Sequence, residues 1–483
     1  MSEQLGSQVK KSFLWNFSEN IVFKLIQFII QLVLARILAP EDYGLTALVL
    51  AIVNIADVFV KAGFSSALIQ KNDAKSIDFS SVCYFSLGLA IICYIVIFIS
   101  SPYIAGYFED YRIVGIMRVM SVSLIIGAFN SVQVAIIYKN LKFKRSFQAN
   151  ILGMLISATA GIVAACMGMG VWALVIQYLV NRLVNCFAFY CIDRWFPKRE
   201  FSFESIKSLF SYGWKLMVSS IFQTVSSDIY SLVIGKFFSK AQLGVYDTGK
   251  KIPANIGNTV ASTMGSVLFP TFSKIQHDPN KMKEYLKTIN CLSSVFIFPG
   301  MLGLAAMAEP LVRVVLSEKW IEAVPIMQIA CVLYSFYPIH LANLQIAKAV
   351  GRTDISMYQE IAKKVLDIIM LILTVKHGIV WVAAGIALSS IIALWINIEP
   401  NNRYIHYNTV HQLSDVMPSI IIGLVTALSM NSLGYFLNIN SLLLIVFELL
   451  LGLAVFCVLS MAFNRKAIKM VRLQFGSIFT FRK

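Results

Sequence analysis

Long apolar runs alternate with short polar turns along the whole chain. A helix needs about 20 apolar residues to cross a bilayer, and the runs are too long and too uniformly apolar for the alternating ten-residue strands of a membrane barrel. The pattern therefore predicts an all-α integral membrane protein with about fourteen transmembrane helices. We expect them near residues 12–37, 43–63, 79–101, 113–137, 147–167, 170–192, 213–235, 245–269, 286–307, 322–344, 359–376, 378–398, 415–436 and 440–463.

An internal repeat divides this pattern. The stretch "LARILAPEDYGL" (34–45) returns as "IGKFFSKAQLGV" (234–245), with Lys236 in the place of Arg36 and Gly244 in the place of Gly44. Polar residues on one face of the first predicted helix and of the seventh follow the same spacing. The repeat predicts two pseudo-symmetric six-helix lobes followed by two additional C-terminal helices.

The predicted boundaries follow from this division. They are an N-terminal lobe with helices one to six (1–192), a cytoplasmic linker (193–212), a C-terminal lobe with helices seven to twelve (213–400), helices thirteen and fourteen (401–464) and a basic cytoplasmic tail (465–483). Parallel repeats of this kind occur in transporters, where a cleft between the lobes opens first to one side and then to the other.

Two interpretations of the repeated turn remain open at this stage. Pro40 and Gly44 are typical of a tight turn between helices, and nothing more is needed to explain them. The alternative is an outer gate, formed where the two repeated turns meet.

Composition excludes a soluble protein. Of the 483 residues 58% are hydrophobic and only 14% are charged, which is more apolar surface than a soluble core can bury. The net charge of +16 is concentrated in alternate loops, so it indicates a positive-inside orientation and excludes nucleic acid as the explanation. We expect a multi-pass membrane protein with both termini in the cytoplasm.

Charged and polar residues within the predicted spans are the candidate functional residues. A charge at mid-bilayer costs about 2.5–3.5 kcal/mol, so several of them indicate a wet interior. The candidate cleft cations for an anionic headgroup are Lys24, Arg118, Arg182, Lys215, Lys250 and Lys251. The candidate sugar contacts are Asn16, Asn20, Gln27, Gln31, Gln223, Asn255 and Asn258, and the candidates for ion coupling are Glu19, Asp57 and Asp228. Snorkelling, ion pairing and helix-to-helix hydrogen bonding are the structural alternatives for the same residues.

Metal binding and catalysis find no support in the sequence. None of the eight Cys forms a CxxC pair, the five His are scattered, and no nucleophile elbow or phosphate-binding glycine loop occurs. We expect no cofactor and no enzymatic activity.

The stretch "LARILAPEDYGLTALVLAIVNIADVFVKAGFSSALIQ" (34–70) resembles the first hairpin of bacterial polysaccharide exporters of the Wzx and colanic-acid exporter type. "GVWALV" (170–175) fits the same family, which belongs to the multidrug, oligosaccharidyl-lipid and polysaccharide exporter superfamily. The resemblance implies a flippase of the bacterial cytoplasmic (inner) membrane. Such a flippase moves an undecaprenyl-diphosphate-linked oligosaccharide across that membrane by alternating access, for surface or exopolysaccharide assembly.

The main alternative is a cation-coupled multidrug exporter of the same superfamily. Such an exporter favours an acidic, aromatic pocket, whereas the candidate residues here are mixed to basic. A membrane enzyme would need a larger loop domain, and a channel a pore-loop signature. The expected partners are the lipid-linked oligosaccharide and membrane lipids; the protein is expected to act as a monomer, and contact with polysaccharide polymerase machinery is left open.

Overall fold

A computed structural model describes residues 26–463, except for residues 72, 141, 437 and 438 and the side chains at 143, 262, 266, 353 and 435. All regular secondary structure in the described part of the chain is helical, which confirms the all-α prediction. Eleven described stretches are long and apolar enough to span a membrane. The count of fourteen stays a prediction, since residues 1–25 lie outside the described part and two long helices, Lys240–Ile275 and Thr353–Thr374, are more polar than the eleven.

The chain divides into two compact units at Gly244 and Val245, here called unit 1 and unit 2. The helices of unit 1 are α1 (Ile26–Ile37), α2 (Pro40–Lys61), α3 (Phe64–Gln70), α4 (Ser76–Tyr107), α5 (Arg112–Met120), α6 (Val122–Lys139), α7 (Phe143–Cys166), α8 (Val171–Asp193) and α9 (Phe203–Phe237). Unit 1 therefore includes the seventh predicted transmembrane segment. The lobe boundary at 193–212, which rests on the sequence repeat, remains a prediction.

Helix α10 (Lys240–Ile275) leads from unit 1 into unit 2. The further helices of unit 2 are α11 (Pro279–Ala306), α12 (Ala308–Leu311), α13 (Ala323–Ser335), α14 (Tyr337–Ala349), α15 (Thr353–Thr374), α16 (Ile379–Ile405), α17 (Thr409–Phe436) and α18 (Ser441–Phe463). A π-helical turn (Val312–Leu316) and two 3₁₀ turns (Glu318–Trp320 and Val375–His377) connect some of them. The core of unit 1 joins the α2–α3 corner to α4, α6 and α9, and a core of unit 2 joins α10, α11 and α14 around Phe272 and Tyr407.

The repeated turn has the same local structure in both copies. Helix α2 begins at Pro40, and the Ala39 N–H donates to the Asp42 carboxylate over 3.0 Å. Helix α10 begins at Lys240, and the Ser239 N–H donates to the Gln242 side-chain oxygen over 3.2 Å. A side chain at the third helical position thus satisfies a backbone donor at each helix start, and the two starts are 200 residues apart as the sequence repeat predicts.

The two turns also meet. A Cβ added to Gly44 would overlap the Lys240 carbonyl, and a Cβ added to Gly244 would overlap the Pro40 carbonyl. The contact is therefore reciprocal, with each glycine accepting the backbone of the opposite turn. This geometry accounts for a glycine at both positions, and it shows that the turns do more than reverse the chain.

A second glycine contact lies at the opposite end of α2. Gly63, which has φ +72° just after α2, approaches Gly213 on α9 so closely that a Cβ on Gly63 would overlap the Gly213 carbonyl. Only glycine adopts this left-handed conformation without cost and leaves room for the facing backbone. Helix α2 is thus held against the α9–α10 hairpin at both of its ends.

We predict that Gly44→Ala lowers the free energy of unfolding by about 1–3 kcal/mol, because a methyl group there forces two backbones apart. The thermal midpoint of the purified protein measures the loss. Gly88→Ala on α4 is the matched control, since no atom lies within 4 Å of a Cβ at that position. Equal midpoints for the two variants would contradict a tight turn contact.

Candidate functional site

A polar cluster lies among the transmembrane helices of unit 1. We call it the unit-1 cluster and define it by Asn54, Asp57, Lys61, Arg182 and Asp228. Asp57 and Lys61 are one turn apart on α2 and form an ion pair with the lysine Nζ 2.5 Å from a carboxylate oxygen. Asn54, one turn earlier on the same helix, donates to the Asp228 carboxylate of α9 over 3.2 Å. One face of α2 thus carries a polar partner for α9, and Asp57 on the same face is near Arg182 of α8.

Arg182 reaches the cluster from α8. Its guanidinium lies close enough to Asp57 for electrostatic attraction, and it donates to the Tyr178 hydroxyl over 3.2 Å while lying 5.4 Å from the centre of that ring. Among the described residues this is its one hydrogen bond, so further N–H groups of the guanidinium have no partner there. Such a group can fork onto two oxygens of an anion.

Glycine on α6 makes room for the acid. A Cβ placed on Gly127 would lie 3.3 Å from an Asp57 carboxylate oxygen. The carboxylate is therefore enclosed by α2, α6 and α8, and its side chain is only 16% exposed, whereas that of Lys61 is 42% exposed. The exposed end of the cluster is cationic.

The direction in which Arg182 points follows from how α8 packs on α7. Asn185 faces Gly153, Asn181 donates to the Ser157 hydroxyl over 3.3 Å, and Gln177 faces Gly161. The three amides occupy every fourth position of α8, and their small partners occupy every fourth position of α7 in the opposite chain direction. This amide seam fixes one face of α8 to α7 and leaves Arg182 on the adjoining face.

A second polar cluster lies in unit 2 on α10. Asp247 and Lys250 form an ion pair with 3.1 Å between nitrogen and oxygen, and Lys251 lies close to the same carboxylate. The Lys250 ammonium lies 4.8 Å from the Tyr246 ring centre, and both side chains line a small cavity of about 50 Å³ with Tyr334. We call Tyr246, Asp247, Lys250, Lys251 and Tyr334 the unit-2 cluster.

The other predicted cations do not join either cluster in the described part of the structure. Arg118 lies 4.0 Å from the Phe98 ring and donates to the Ser101 hydroxyl over 3.0 Å, which packs α5 on α4. Lys215 is exposed on α9. Lys24 lies outside the described residues, as do Asn16, Asn20 and Glu19.

The remaining predicted sugar contacts are accessible. Gln27, Gln223, Asn255 and Asn258 are exposed, and Gln31 is half-buried with its backbone carbonyl accepting the Tyr43 hydroxyl at 3.4 Å. No described contact ties these amide side chains to another helix, in contrast to the amides of α8.

Sequence reasoning did not single out Lys61, Tyr178 or Asn54. The spacing of Asp57 and Lys61 is the usual one for an ion pair within a helix and was the signal available for Lys61. Tyr178 has the same relation to Arg182, one turn earlier on α8. The pairing of Asn54 with Asp228 joins residues far apart in the chain, and no local pattern indicates it.

Ionic contacts at the repeated turns form what we call the turn latch, made of Glu41, residues 107–112, Lys236 and Lys240. Lys236 binds the Glu109 carboxylate at 2.9 Å and the Tyr107 carbonyl at 2.7 Å. Lys240 donates to the Phe108 carbonyl over 3.0 Å. Arg112 pairs with Asp110 at 2.7 Å and also with Glu41.

The latch explains the polar residues of the repeated turn. Asp42 accepts a hydrogen bond from the Ala39 N–H at the start of α2 and also lies against Gly170 of the turn between α7 and α8. Glu41 binds the turn between α4 and α5, and Gly44 admits the turn between α9 and α10. The turn between α1 and α2 therefore contacts three other turns, those between α4 and α5, between α7 and α8, and between α9 and α10.

The comparison with known proteins fits this arrangement. A family model described as "Polysaccharide biosynthesis protein" matches residues 33–325, which is more than half of the chain and includes both repeated turns. The chain belongs to this polysaccharide biosynthesis protein family. The resemblance found in the first hairpin is thereby confirmed.

Relatives of this family member come from several polysaccharide systems. The succinoglycan biosynthesis transport protein ExoT of Rhizobium meliloti is 25% identical over 62% of this chain and 61% of its own length. The chain thus matches less than two thirds of that relative. The lipopolysaccharide biosynthesis protein WzxC of Escherichia coli is 23% identical over 80% of each chain.

Two solved structures share the fold. The lipid II flippase MurJ in an inward closed conformation gives a TM-score of 0.74 at 16% identity, covering 93% of this chain and all of the other. An inward-facing multidrug resistance MATE transporter of the MOP superfamily gives 0.62 at 17% identity, covering 80% of this chain and 94% of the other. This family member therefore shares its fold with both of these proteins.

We predict that the turn latch weakens in acid. Lys236 lowers the pKa of Glu109, and Arg112 lowers the pKa of Asp110, chiefly through hydrogen bonds to the ionised carboxylates. A carboxyl with a lowered pKa stabilises the folded state above the ordinary carboxyl range of about 4 and loses that contribution as the pH falls through the lowered value. The thermal midpoint should therefore be steady from neutral pH to about pH 5 and fall below about pH 4.

The double variant Glu109→Gln, Asp110→Asn should show a smaller fall than the wild type. Glu284→Gln on α11, which removes an exposed carboxylate elsewhere, is the control and should behave as the wild type does. An unchanged acid limb in the double variant would mean that other carboxylates cause the loss.

Proposed function

We propose that this family member is a flippase that moves an undecaprenyl-diphosphate-linked oligosaccharide repeat unit across the cytoplasmic membrane by alternating access. The family, the transport and biosynthesis roles in the names of ExoT and WzxC, and the fold shared with the lipid II flippase MurJ support this proposal. Its product would serve surface or exopolysaccharide assembly. The coarser statement, that the chain is a multi-pass membrane protein with a transporter fold, rests on the same findings.

The observation that carries the proposal is the cationic end of the unit-1 cluster. Arg182 offers N–H groups without a partner among the described residues, and Lys61 is the more exposed member of its ion pair. A diphosphate has two adjacent anionic groups, which match one guanidinium and one ammonium. Asp57 pairs with Lys61 and lies close enough to Arg182 for electrostatic attraction, so it offsets both positive charges when no substrate is bound.

Asp57 also sets how tightly the headgroup is bound. A bare pair of cations in a low-dielectric site would bind a diphosphate too firmly for release, whereas a built-in carboxylate competes with the ligand for both cations. Binding then exchanges one set of ion pairs for another. Transport needs this near balance, because the same site must accept the headgroup on one side and release it on the other.

Other predicted residues have supporting roles in this proposal. The exposed amides Gln223, Asn255 and Asn258 offer donors and acceptors for sugar hydroxyls, and Gln27 and Gln31 do so on α1. Lys250 and Lys251 of the unit-2 cluster, with Arg118, Lys215 and the undescribed Lys24, Asn16 and Asn20, remain candidate contacts.

The turn latch is proposed as the outer gate. The positive-inside distribution of Lys and Arg supports an orientation with both termini in the cytoplasm and the repeated turns on the outer face. The glycine contacts between the two turns would then close the outer face of the protein. Release of the substrate to the outside would require α2 to separate from the α9–α10 hairpin. The sequence analysis left a simple turn and a gate open, and the reciprocal contact of Gly44 and Gly244 favours the gate.

Two energy sources are candidates for driving the proposed transport. An inside-negative potential favours outward movement of an anion by about 2.3 kcal/mol per charge per 100 mV. Coupling to H⁺ or Na⁺ through Asp57, Asp228 or the undescribed Glu19 is the competing hypothesis. Transport in vesicles that is unaffected by collapse of both ion gradients, with the potential maintained, would exclude the coupled version.

We predict that Arg182→Gln combined with Lys61→Gln abolishes export while the protein still folds. The measurement is the amount of lipid-linked oligosaccharide on each membrane face in a host that lacks the gene and carries either the wild type or the variant. The variant should leave the oligosaccharide on the inner face, because its headgroup has lost both cations. Lys274→Gln, which removes an exposed lysine of α10, should restore export fully.

Two results would count against the proposal. Full export by the folded double variant would remove the unit-1 cluster from the headgroup site. Normal surface polysaccharide in the deletion host, with accumulation of cationic drugs, would favour the multidrug exporter of the same superfamily.

A further inference from the structure

Helix α18 buries an acid on a helix that is otherwise apolar. Its 23 residues include one carboxylic acid, Glu448, whose neighbours Phe447 and Leu450 are about half exposed. Glu448 itself is 2% exposed. The buried residues of α18 are Glu448, Gly452 and Ser460, so the face that packs on the rest of unit 2 is its small and polar face.

The packing partner of this face is α17. A Cβ placed on Gly434 would lie 3.7 Å from a Glu448 carboxyl oxygen, and one placed on Gly452 would lie 2.6 Å from the Met430 sulfur. Gly434 and Met430 are one turn apart on α17, as Glu448 and Gly452 are on α18. The carboxyl group therefore fills the space that the missing side chain of Gly434 leaves.

Nothing in the described part of unit 2 compensates a charge at this position. The Oε2 atom of Glu448 is buried without a hydrogen-bond partner, and Glu448 forms no ion pair with any described residue. An isolated carboxylate in a membrane-spanning segment costs several kcal/mol, whereas the protonated acid costs far less. The surroundings of Glu448 thus select the neutral form.

The ionisable groups on the elements packed against α18 either form ion pairs with other residues or lie far from Glu448 along their helices. Arg313, on the π-helical turn after α12, is held by Glu309 and Glu318. At the other end of the bundle, Lys287 of α11 pairs with Asp415 of α17 at 2.7 Å, roughly 28 Å along the helix from Gly434 at 1.5 Å per residue. The other charged residues of α11 and α17 lie in the same end segment: Lys281, Lys283, Glu284 and His411.

We propose that Glu448 binds a proton between α17 and α18, and that loss of this proton releases α18 from α17. The proton leaves to water as H⁺ and the carboxylate remains on the protein, so no other reactant is needed. A charged Glu448 is unfavourable in this contact, because its Oε2 atom is buried there without a hydrogen-bond partner. Deprotonation therefore favours separation of the two helices, which lets the carboxylate move toward water. Protonation and the packing of the C-terminal helix pair are therefore linked.

The first test is infrared spectroscopy of the purified full-length protein in lipid nanodiscs. At pH 7 the wild type should show the carbonyl stretch of a protonated carboxyl group, and Glu448→Gln should lack that band. The control Glu284→Gln should keep it, because Glu284 is exposed on α11. A wild-type spectrum without the band, or a band that survives in Glu448→Gln, overturns the proposal.

The second test concerns the link to packing. Because the folded state holds the proton, stability is complete at low pH and is lost as rising pH removes it. The thermal midpoint of the wild type should fall between neutral and alkaline pH, while that of Glu448→Gln should show a smaller fall. Parallel curves for the two proteins would show that the proton and the helix contact are independent.

The third test rests on the proposed flippase function. Glu448→Gln keeps α18 packed permanently, so export should be lost, and Glu448→Asp should restore it. Normal export by Glu448→Gln would show that release of α18 is not part of transport. Failure of the wild type itself to export lipid-linked oligosaccharide would refute the flippase function and leave the infrared result standing.

Discussion

The close contact between backbones at the two repeated turns is the constraint on which unit 1 depends. Helix α2 can approach the α9–α10 hairpin only where neither side carries a side chain, at Gly44 and Gly244 and again at Gly63 and Gly213. Once α2 is held at both ends, its polar face must point toward α8 and α9. The unit-1 cluster and the turn latch both follow from that placement.

Several charges within the membrane-spanning part of unit 1 have a partner nearby. Asp57 is paired within its own helix, Asp228 is reached by an amide, and Arg118 rests on an aromatic ring. The proposed flippase would have to keep such groups ready for an anionic ligand without leaving them uncompensated when the ligand is absent. Short-range partners on the same or the next helix meet both requirements.

Much of the fold could be predicted from the sequence, because membrane helices and their turns are determined locally. Apolar run length gave the helices, and the repeat gave the equivalent starts of α2 and α10. The sequence could not predict which side chains on different helices contact each other. The amides of α8 and the polar residues of the first predicted helix both form one-sided stripes in the sequence. The amides of α8 pack on α7, and no property of the stripe itself indicates this.

The candidate site shows the same limit. Asp57 and Arg182 were both recognised as charges within spans, but their proximity depends on how α2, α6 and α8 pack. Lys61 lies at the end of α2, where a lysine is ordinarily explained by contact with headgroups, so the sequence alone does not single it out. Its proposed role depends on the nearness of Arg182 to the same carboxylate.

The amide seam between α7 and α8 has a mechanical consequence. Three contacts in register, each between an amide and a glycine or serine, resist sliding and rotation of one helix on the other. Helix α8 therefore cannot turn Arg182 toward or away from a headgroup by itself; α7 has to move with it as one rigid body. The exposed apolar side chains of α7, such as Leu152 and Ile156, must then move whenever Arg182 changes position. In a bilayer, the viscosity and thickness of the lipid around such side chains act directly on the rate of that movement.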